Sequence, residues 1–305
     1  QYIGDFAGLP IGLTGIAHGY SKLVLGFPRL QSFMIEPLYL ANYLFLPLGL
    51  LAGLWLERAP GWRRGFIVLG ILALLLAIGL TVSRGAYLAL IPFTLTLAIV
   101  RYRTFLTVRG IGLILIISLI VGLPTVAFLS TSRSTIAQSF INHATLGDFR
   151  SGSGESSIGR LLAYQQALEA WQTKPVLGIG PGNYGLYVKG YPDPRTLTSF
   201  DIVNNEYLEV LAETGVVGLV IFITLIVWIV VRQLRSLQRT RDPFLTAVLS
   251  GTLAAFVALM VQYNFFSTLY IVYVWVLIGI MLATQNVALG LAISNQQSAN
   301  SKGAR

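Results

Sequence analysis

Three carboxylates crowd the start of one apolar run. In "NNEYLEVLAETGVVGL", Glu206, Glu209 and Glu213 recur at spacings of three and four, which on a 3.6-residue helix gathers them within about 60° of one another. The positive end of a helix favours an acid there, but three on one face exceed what a cap requires. Such a stripe at a membrane boundary either pairs with cations or lines a hydrophilic site. Asn204 and Asn205 directly precede it and can cap the helix or hydrogen-bond a ligand.

Two arginines are the natural counterparts. Arg84, in "GLTVSRGAYLAL", ends an apolar run with only Ser83 and Gly85 beside it. A partly desolvated guanidinium there needs an anion, either a lipid phosphate toward which it snorkels or the phosphate of a substrate. Arg160 belongs to "GESSIGRLLAYQQALEAWQTKP", whose Ile158, Leu161, Leu162, Leu168 and Trp171 recur at helical spacing after a serine cap and stop at Pro175. This pattern predicts an amphipathic helix along the membrane surface, with Arg160 and Gln165 off its apolar stripe. Arg160 is then either a solvated charge or a ligand for an anion. The "VLGIGPGNYGLY" that follows, with Gly178, Gly180, Gly182 and Gly185, suits a tight turn or close approach of backbone to a ligand. Without a flanking strand and helix it is no dinucleotide fingerprint.

Most of the chain is there to cross a membrane. Of its 305 residues 55% are hydrophobic, more than one soluble core could use, and a helix needs about 20 apolar residues to span a bilayer. Seven runs qualify, near 37–56, 65–82, 86–100, 110–130, 207–231, 244–262 and 268–289, the third being short. The expected fold is therefore an all-α polytopic membrane protein. The sequence contains no cysteine, which excludes disulfides, thiolate metal sites and a cysteine nucleophile. His18 and His143 stand alone, so no metal is expected.

A net charge of +9 could suggest nucleic acid, but the arginines sit in short connectors, where they set orientation. Arg58, Arg63 and Arg64, then Arg101, Arg103 and Arg109, then Arg232, Arg235, Arg239 and Arg241, and the tail with Lys302 and Arg305, all fall on one side if the spans alternate. That side is expected to be cytoplasmic. The layout is then an outer or interfacial segment at 1–36, four spans in 37–130, a large outer loop at 131–206, three spans in 207–290 and a disordered cytoplasmic tail at 291–305. The chain starts at Gln1 with no basic segment and cleavage site before the first run, so it does not read as an intact signal-bearing precursor.

In order along the chain, "RLQSFMIEPLYLANYL", "SRGAYLAL", "GRLLAYQQALEAWQTKPVLGIGPGNY" and "NNEYLEVLAETGVVGL" resemble motifs of the O-antigen ligase and polymerase superfamily, bacterial inner-membrane proteins that handle lipid-linked surface polysaccharide. The likeness covers residues 29 to 230. It implies that further spans precede this chain, that the large loop is periplasmic, and that the reaction is glycosyl transfer from an undecaprenyl-diphosphate-linked glycan to an acceptor glycolipid such as a lipid A core, or to a growing polysaccharide. No cofactor is implied. Carried over residue by residue, it implies catalytic roles for Arg84, Arg160, Asn204 and Glu206, and substrate contacts from Arg29, Asn205, Gly180, Gly182 and Tyr184. One departure matters: the superfamily commonly has His then Asn where Asn204 and Asn205 stand, and Glu36 stands where Asn is usual. Either Glu206 replaces that His as a base, or the Asn204 amide only positions substrate. The diphosphate leaving group already carries its charge, so cations are what catalysis chiefly requires. A ligase is the first reading and a polymerase of the same superfamily the second. A membrane transporter of a small anion is the alternative from another class, against which the spans hold few ionisable residues and no clear internal repeat.

Overall fold

A computed structural model describes residues 23–24, 27–32, 34, 36–58, 61, 63–101, 155–189, 202–267 and 269–303. The expected span at 110–130 and most of segment 1–36 lie outside the described residues. A two-residue antiparallel hairpin, β1 (Leu23–Val24) with β2 (Phe27–Pro28), precedes the helices. It departs from an all-helical expectation only to deliver Arg29 to the bundle.

The helices are α1 (Pro37–Leu56), α2 (Arg64–Leu80), α3 (Arg84–Arg101), α4 (Glu155–Thr173), α5 (Tyr184–Lys189), α6 (Glu206–Arg239), α7 (Pro243–Gln262) and α8 (Val272–Gly303). Six of the expected apolar runs thus lie on helices. Four helices, α1, α6, α7 and the Val272–Leu291 part of α8, are long and apolar enough to cross a membrane, and the protein is a polytopic helical membrane protein. Helices α2 and α3 are apolar but shorter. At 1.5 Å per residue the 17 residues of α2 reach about 25 Å, short of a hydrocarbon core of about 30 Å. Helix α8 continues to Gly303, where the sequence reading placed disorder. Extending a formed helix through Ala, Gln, Ser and Lys costs little once its nucleus exists.

Proline starts two helices where its missing N–H costs nothing. Pro37 follows an extended Glu36, and Pro243 follows Asp242, whose side chain accepts from Leu245 N at 2.7 Å. Between these helices lies the tightest seam in the bundle. Gly49 and Gly53 of α1 face Ala247 and Gly251 of α7, so close that an added Cβ on Gly49 would sit 2.2 Å from Gly251 O, and one on Gly251 would sit 2.1 Å from Gly49 O. Membrane helices gain little from hydrophobic burial against lipid, so such small-residue contact lets backbones approach and pack. Around the seam, α3 and α8 add Phe93, Val274, Leu277 and Met281 to a core with Phe45, Leu48, Phe256 and Leu259.

Buried polar side chains register the helices. The Asn42 amide on α1 donates to Gln262 on α7 at 3.2 Å, and Gln233 on α6 donates to Leu249 O at 2.8 Å and Thr252 Oγ1 at 3.0 Å. Gln285 on α8 donates to Gln233. The alternation of the helices gathers the arginine-bearing connectors at one end, where Arg101 pairs with Glu57 at 3.9 Å and Arg58, Arg63, Arg64, Arg235, Arg239 and Arg241 are exposed.

Replacing Gly251 by Leu drives a side chain into the α1 backbone and should destabilise the bundle by about 3 kcal/mol. Gly279→Ala, where an added Cβ meets nothing within 4 Å, should leave it unchanged. Thermal unfolding of the purified proteins in detergent compares the two.

Candidate functional site

The first two turns of α6 are stitched into the end of the bundle opposite the arginine connectors. Asn205 is the N-cap, its side-chain oxygen accepting from Leu208 N at 3.1 Å. Asn204 before it has φ 59°, a left-handed conformation that asparagine tolerates better than most residues. Glu206 is only 3% exposed. Its backbone N–H donates to Tyr263 O at 2.8 Å, and its carboxylate accepts from Leu269 N at 3.0 Å. Glu209 accepts from Val203 N at 3.0 Å. The Tyr207 hydroxyl donates to Met260 O at 2.8 Å. The acid stripe therefore holds the residue 202–205 loop and the α7–α8 connector through backbone N–H groups.

Glu213 does the same for the glycine motif. Its carboxylate accepts from Gly182 N at 2.8 Å and Tyr184 N at 3.1 Å, capping α5. Two residues on, Gly215 leaves the helical conformation, with φ 67° and ψ −169°. The broken turn is closed by residues 175–180: Val216 N and Val217 N donate to Pro175 O and Val176 O at 3.0 and 3.3 Å, while Ile179 N and Gly180 N donate to Ala212 O and Glu213 O at 3.0 and 2.8 Å. Both glycines are required. A Cβ on Gly215 would lie 2.2 Å from Val176 O, and one on Gly178 would lie 2.3 Å from the Glu213 carbonyl carbon.

The glycine loop expected to meet a ligand is thus engaged by α6. Gly180 N bonds to Glu213 O, one of the backbone groups that the helix break leaves needing a partner, and Gly182 N and Tyr184 N bond to the Glu213 carboxylate. The Tyr184 ring is buried, with its hydroxyl on Ala163 O at 3.0 Å.

Helix α4 packs against α6 through Ala167 and Ala170, which meet Ala212, Val203 and Tyr184. Leu162 and Leu168, of the apolar stripe expected along the membrane surface, are exposed and take no part in this contact. Alanine lets α4 approach the broken helix closely, which leucine would prevent. On the inner face, the Tyr164 hydroxyl lies 2.9 Å from Asn264 O and 3.3 Å from Asn204 O, tying α4 to the 202–205 loop and to the α7–α8 turn. Nothing in the sequence singled out Tyr164. Its only signal is its place one turn after Arg160, on the same helix face. Arg160 is half-buried there and makes no hydrogen bond or ion pair among the described residues, while Gln165 is exposed and donates to Glu169 at 3.1 Å.

Arg29 joins this end from another direction. Its Nε donates to Thr81 O at 2.8 Å and its Nη2 to Ser83 Oγ at 3.2 Å, while Leu30 N donates to Leu80 O at 3.0 Å. It is strapped across the α2–α3 turn, immediately before Arg84, whose backbone begins α3 and whose side chain lies outside the described part. The next residue, Gly85, abuts Phe265 of the α7–α8 turn, the ring lying 3.2 Å from where a Cβ would be. Tyr39 and Tyr270 share a hydrogen bond at 3.2 Å between their hydroxyls. Partial burial pushes the Tyr270 phenol up from its ordinary range, and the charges of Glu209, Glu206 and Glu36 push the same way against the bond from Tyr39. The phenol stays protonated, and those three carboxylates all stand near it.

The structure thus brings Arg29, the turn that begins with Arg84, Asn204, Asn205, Glu206 and the Arg160 face of α4 to one end of the bundle. Gly180, Gly182 and Tyr184 lie beside the α6 break instead. Among the described residues no group of three His, Cys, Asp or Glu side chains could hold a metal ion. Fold and site define a polytopic helical membrane protein with a polar end opposite its arginine connectors. A family model described as O-antigen ligase matches residues 43–223, more than half of the chain, and the chain belongs to that family. The match contains Arg84, Arg160, Asn204, Asn205 and Glu206 and leaves Arg29 outside. No curated protein matches the chain.

Glu213→Ala would leave the part-buried Tyr184 N without its partner, at about 1 kcal/mol or more, and return the exposed Gly182 N to solvent. The expected outcome is faster hydrogen–deuterium exchange of the residue 182–189 amides in folded protein, with Glu213→Gln between this variant and the parent. Mass spectrometry after timed exchange reads the order.

Proposed function

We propose that this protein is a metal-independent glycosyltransferase of the O-antigen ligase type. It moves a glycan from undecaprenyl diphosphate to an acceptor glycolipid such as a lipid A core, on the periplasmic face of the bacterial inner membrane. The observation that carries this reading is the contrast between acids and cation at the site. Glu206, Glu209 and Glu213 accept from backbone N–H groups, whereas half-buried Arg160 has no partner among the described residues. A partly buried guanidinium calls for an anion, and a lipid diphosphate supplies one at the membrane boundary.

In the proposed reaction an acceptor hydroxyl attacks the anomeric carbon of the lipid-linked glycan. The new glycosidic bond forms as the bond to the diphosphate breaks, and undecaprenyl diphosphate leaves with the electron pair. Arg160 and Arg84, with Arg29 behind the same turn, stabilise that leaving charge. The hydroxyl proton passes to a polar acceptor at the 204–206 corner or to water. Glu206 is bonded to Leu269 N and almost fully buried, which favours a positioning role for it, and the Asn204 amide orients the acceptor. The layout with a cytoplasmic arginine end and a periplasmic loop rests on the connector charges.

Arg160→Ala and Arg84→Ala should each lower glycan transfer by about 100-fold or more, with Arg160→Lys partly active, at unchanged protein levels. The assay is a glycan-stained gel of envelope lipids from a deletion strain complemented with each variant, with the lipid-linked pool extracted in parallel. A bare acceptor with long chains on undecaprenyl diphosphate is the ligase outcome. Single repeat units on the acceptor would replace ligase by polymerase. Full activity of both alanine variants would overturn the proposed site.

A further inference from the structure

The turn that closes the α6 break presents apolar side chains outward. Val176 is 61% and Leu177 71% exposed, beside an exposed Pro175 and Lys174. A solvated turn would carry polar residues there. The carbonyls of residues 174–176 are already satisfied, as hydrocarbon demands: Lys174 O accepts from Gly178 N at 2.8 Å, Pro175 O from Val216 N and from the Trp171 indole at 3.0 and 3.1 Å, and Val176 O from Val217 N at 3.3 Å. These bonds also fix the height of the turn. It lies level with Val216 and Val217, where α6 begins its long exposed apolar stretch through Val220 and Ile221.

We infer that residues 175–177 are a membrane wedge, with Val176 and Leu177 inserted into the acyl region of the leaflet at the site end of the bundle. The apolar tip is continuous with the bilayer-facing surface of α6, and that continuity identifies its occupant as lipid. Trp171 and Lys174 flank the tip, and these residue types settle at headgroup level, the indole at the interface and the ammonium on phosphate. The wedge extends the membrane contact of the chain beyond its spanning helices. It pins the C-terminal end of α4, and through α4 the depth of Tyr164 and Arg160, to the bilayer surface.

The sequence contains no cysteine, so single cysteines report single positions. Leu177→Cys and, separately, Val176→Cys carry an environment-sensitive fluorophore in the full chain, reconstituted in phosphatidylethanolamine and phosphatidylglycerol vesicles with or without brominated acyl chains. Ile221→Cys serves as the hydrocarbon reference and Gln238→Cys, exposed near the arginine end of α6, as the aqueous one. The expected result is a blue-shifted emission at both tip positions, bromolipid quenching comparable to Ile221→Cys, and protection from iodide. Iodide quenching like that of Gln238→Cys, without bromolipid quenching, would overturn the wedge. Protection from both quenchers would overturn it too, since protein rather than lipid would then cover the tip.

Discussion

A break in a membrane helix must find partners for the backbone groups it releases, because lipid offers none. Gly215 makes such a break in α6, and the rest of the site follows from how it is closed. Residues 175–180 fill the gap from the side, which requires glycine at 178 and 215, where the two backbones meet too closely for a Cβ. That closure brings the end of α4 against α6. Once α4 is anchored there, Ala167 and Ala170 seat it against Ala212, and Tyr164 reaches Asn204 and Asn264. Arg160, one turn earlier, then has its place near the start of α6. The position of this candidate ligand for the substrate thus traces back to a backbone requirement some distance from it.

The bundle supplies the fixed frame for that chain of contacts. The α1–α7 seam, the Asn42–Gln262 bond and the Gln233–Gln285 bond set helix register inside the membrane, while Asn42 Oδ1, Gln262 Nε2 and Gln285 Oε1 are buried without a partner among the described residues. Register at the seam decides where α7 ends, and the α7 end holds Tyr263 O for Glu206 N and Asn264 O for Tyr164. The same frame separates the charges: arginine connectors at one end, arginines beside a set of acids at the other.

Helices were legible because a long apolar run has few other uses: six of the expected runs lie on helices, and four of these are long and apolar enough to cross a membrane. The arginine and asparagine motifs were legible as a set through their resemblance to one family, and the family model covers Arg84, Arg160, Asn204 and Asn205. The glycine motif was legible as backbone freedom but not by partner. Nothing local in "GIGPG" says whether a ligand or Gly215 comes close, since the partner lies more than thirty residues away. In helix α4, leucines at helical spacing suggest a stripe facing the membrane surface, and Leu162 and Leu168 are exposed, whereas the contact with α6 is made by Ala167 and Ala170, which carry no such signal.

The acid stripe that began as a puzzle now has a physical reading that bears on the chemistry. Backbone N–H groups can satisfy the oxygens of a carboxylate without an arginine, and at Glu209 the bond from Val203 N opposes the penalty of burial. Glu206, Glu209 and Glu213 each have such donors, so the fold does not depend on Arg160 to stabilise them. Had these acids been paired to Arg160, substrate phosphate would have had to displace a buried ion pair, at the cost of leaving a carboxylate uncompensated. Satisfying the acids from the backbone avoids that competition. The stripe then serves two ends at once: it builds the corner that presents Asn204, and it leaves Arg160 to the anion that the proposed reaction brings.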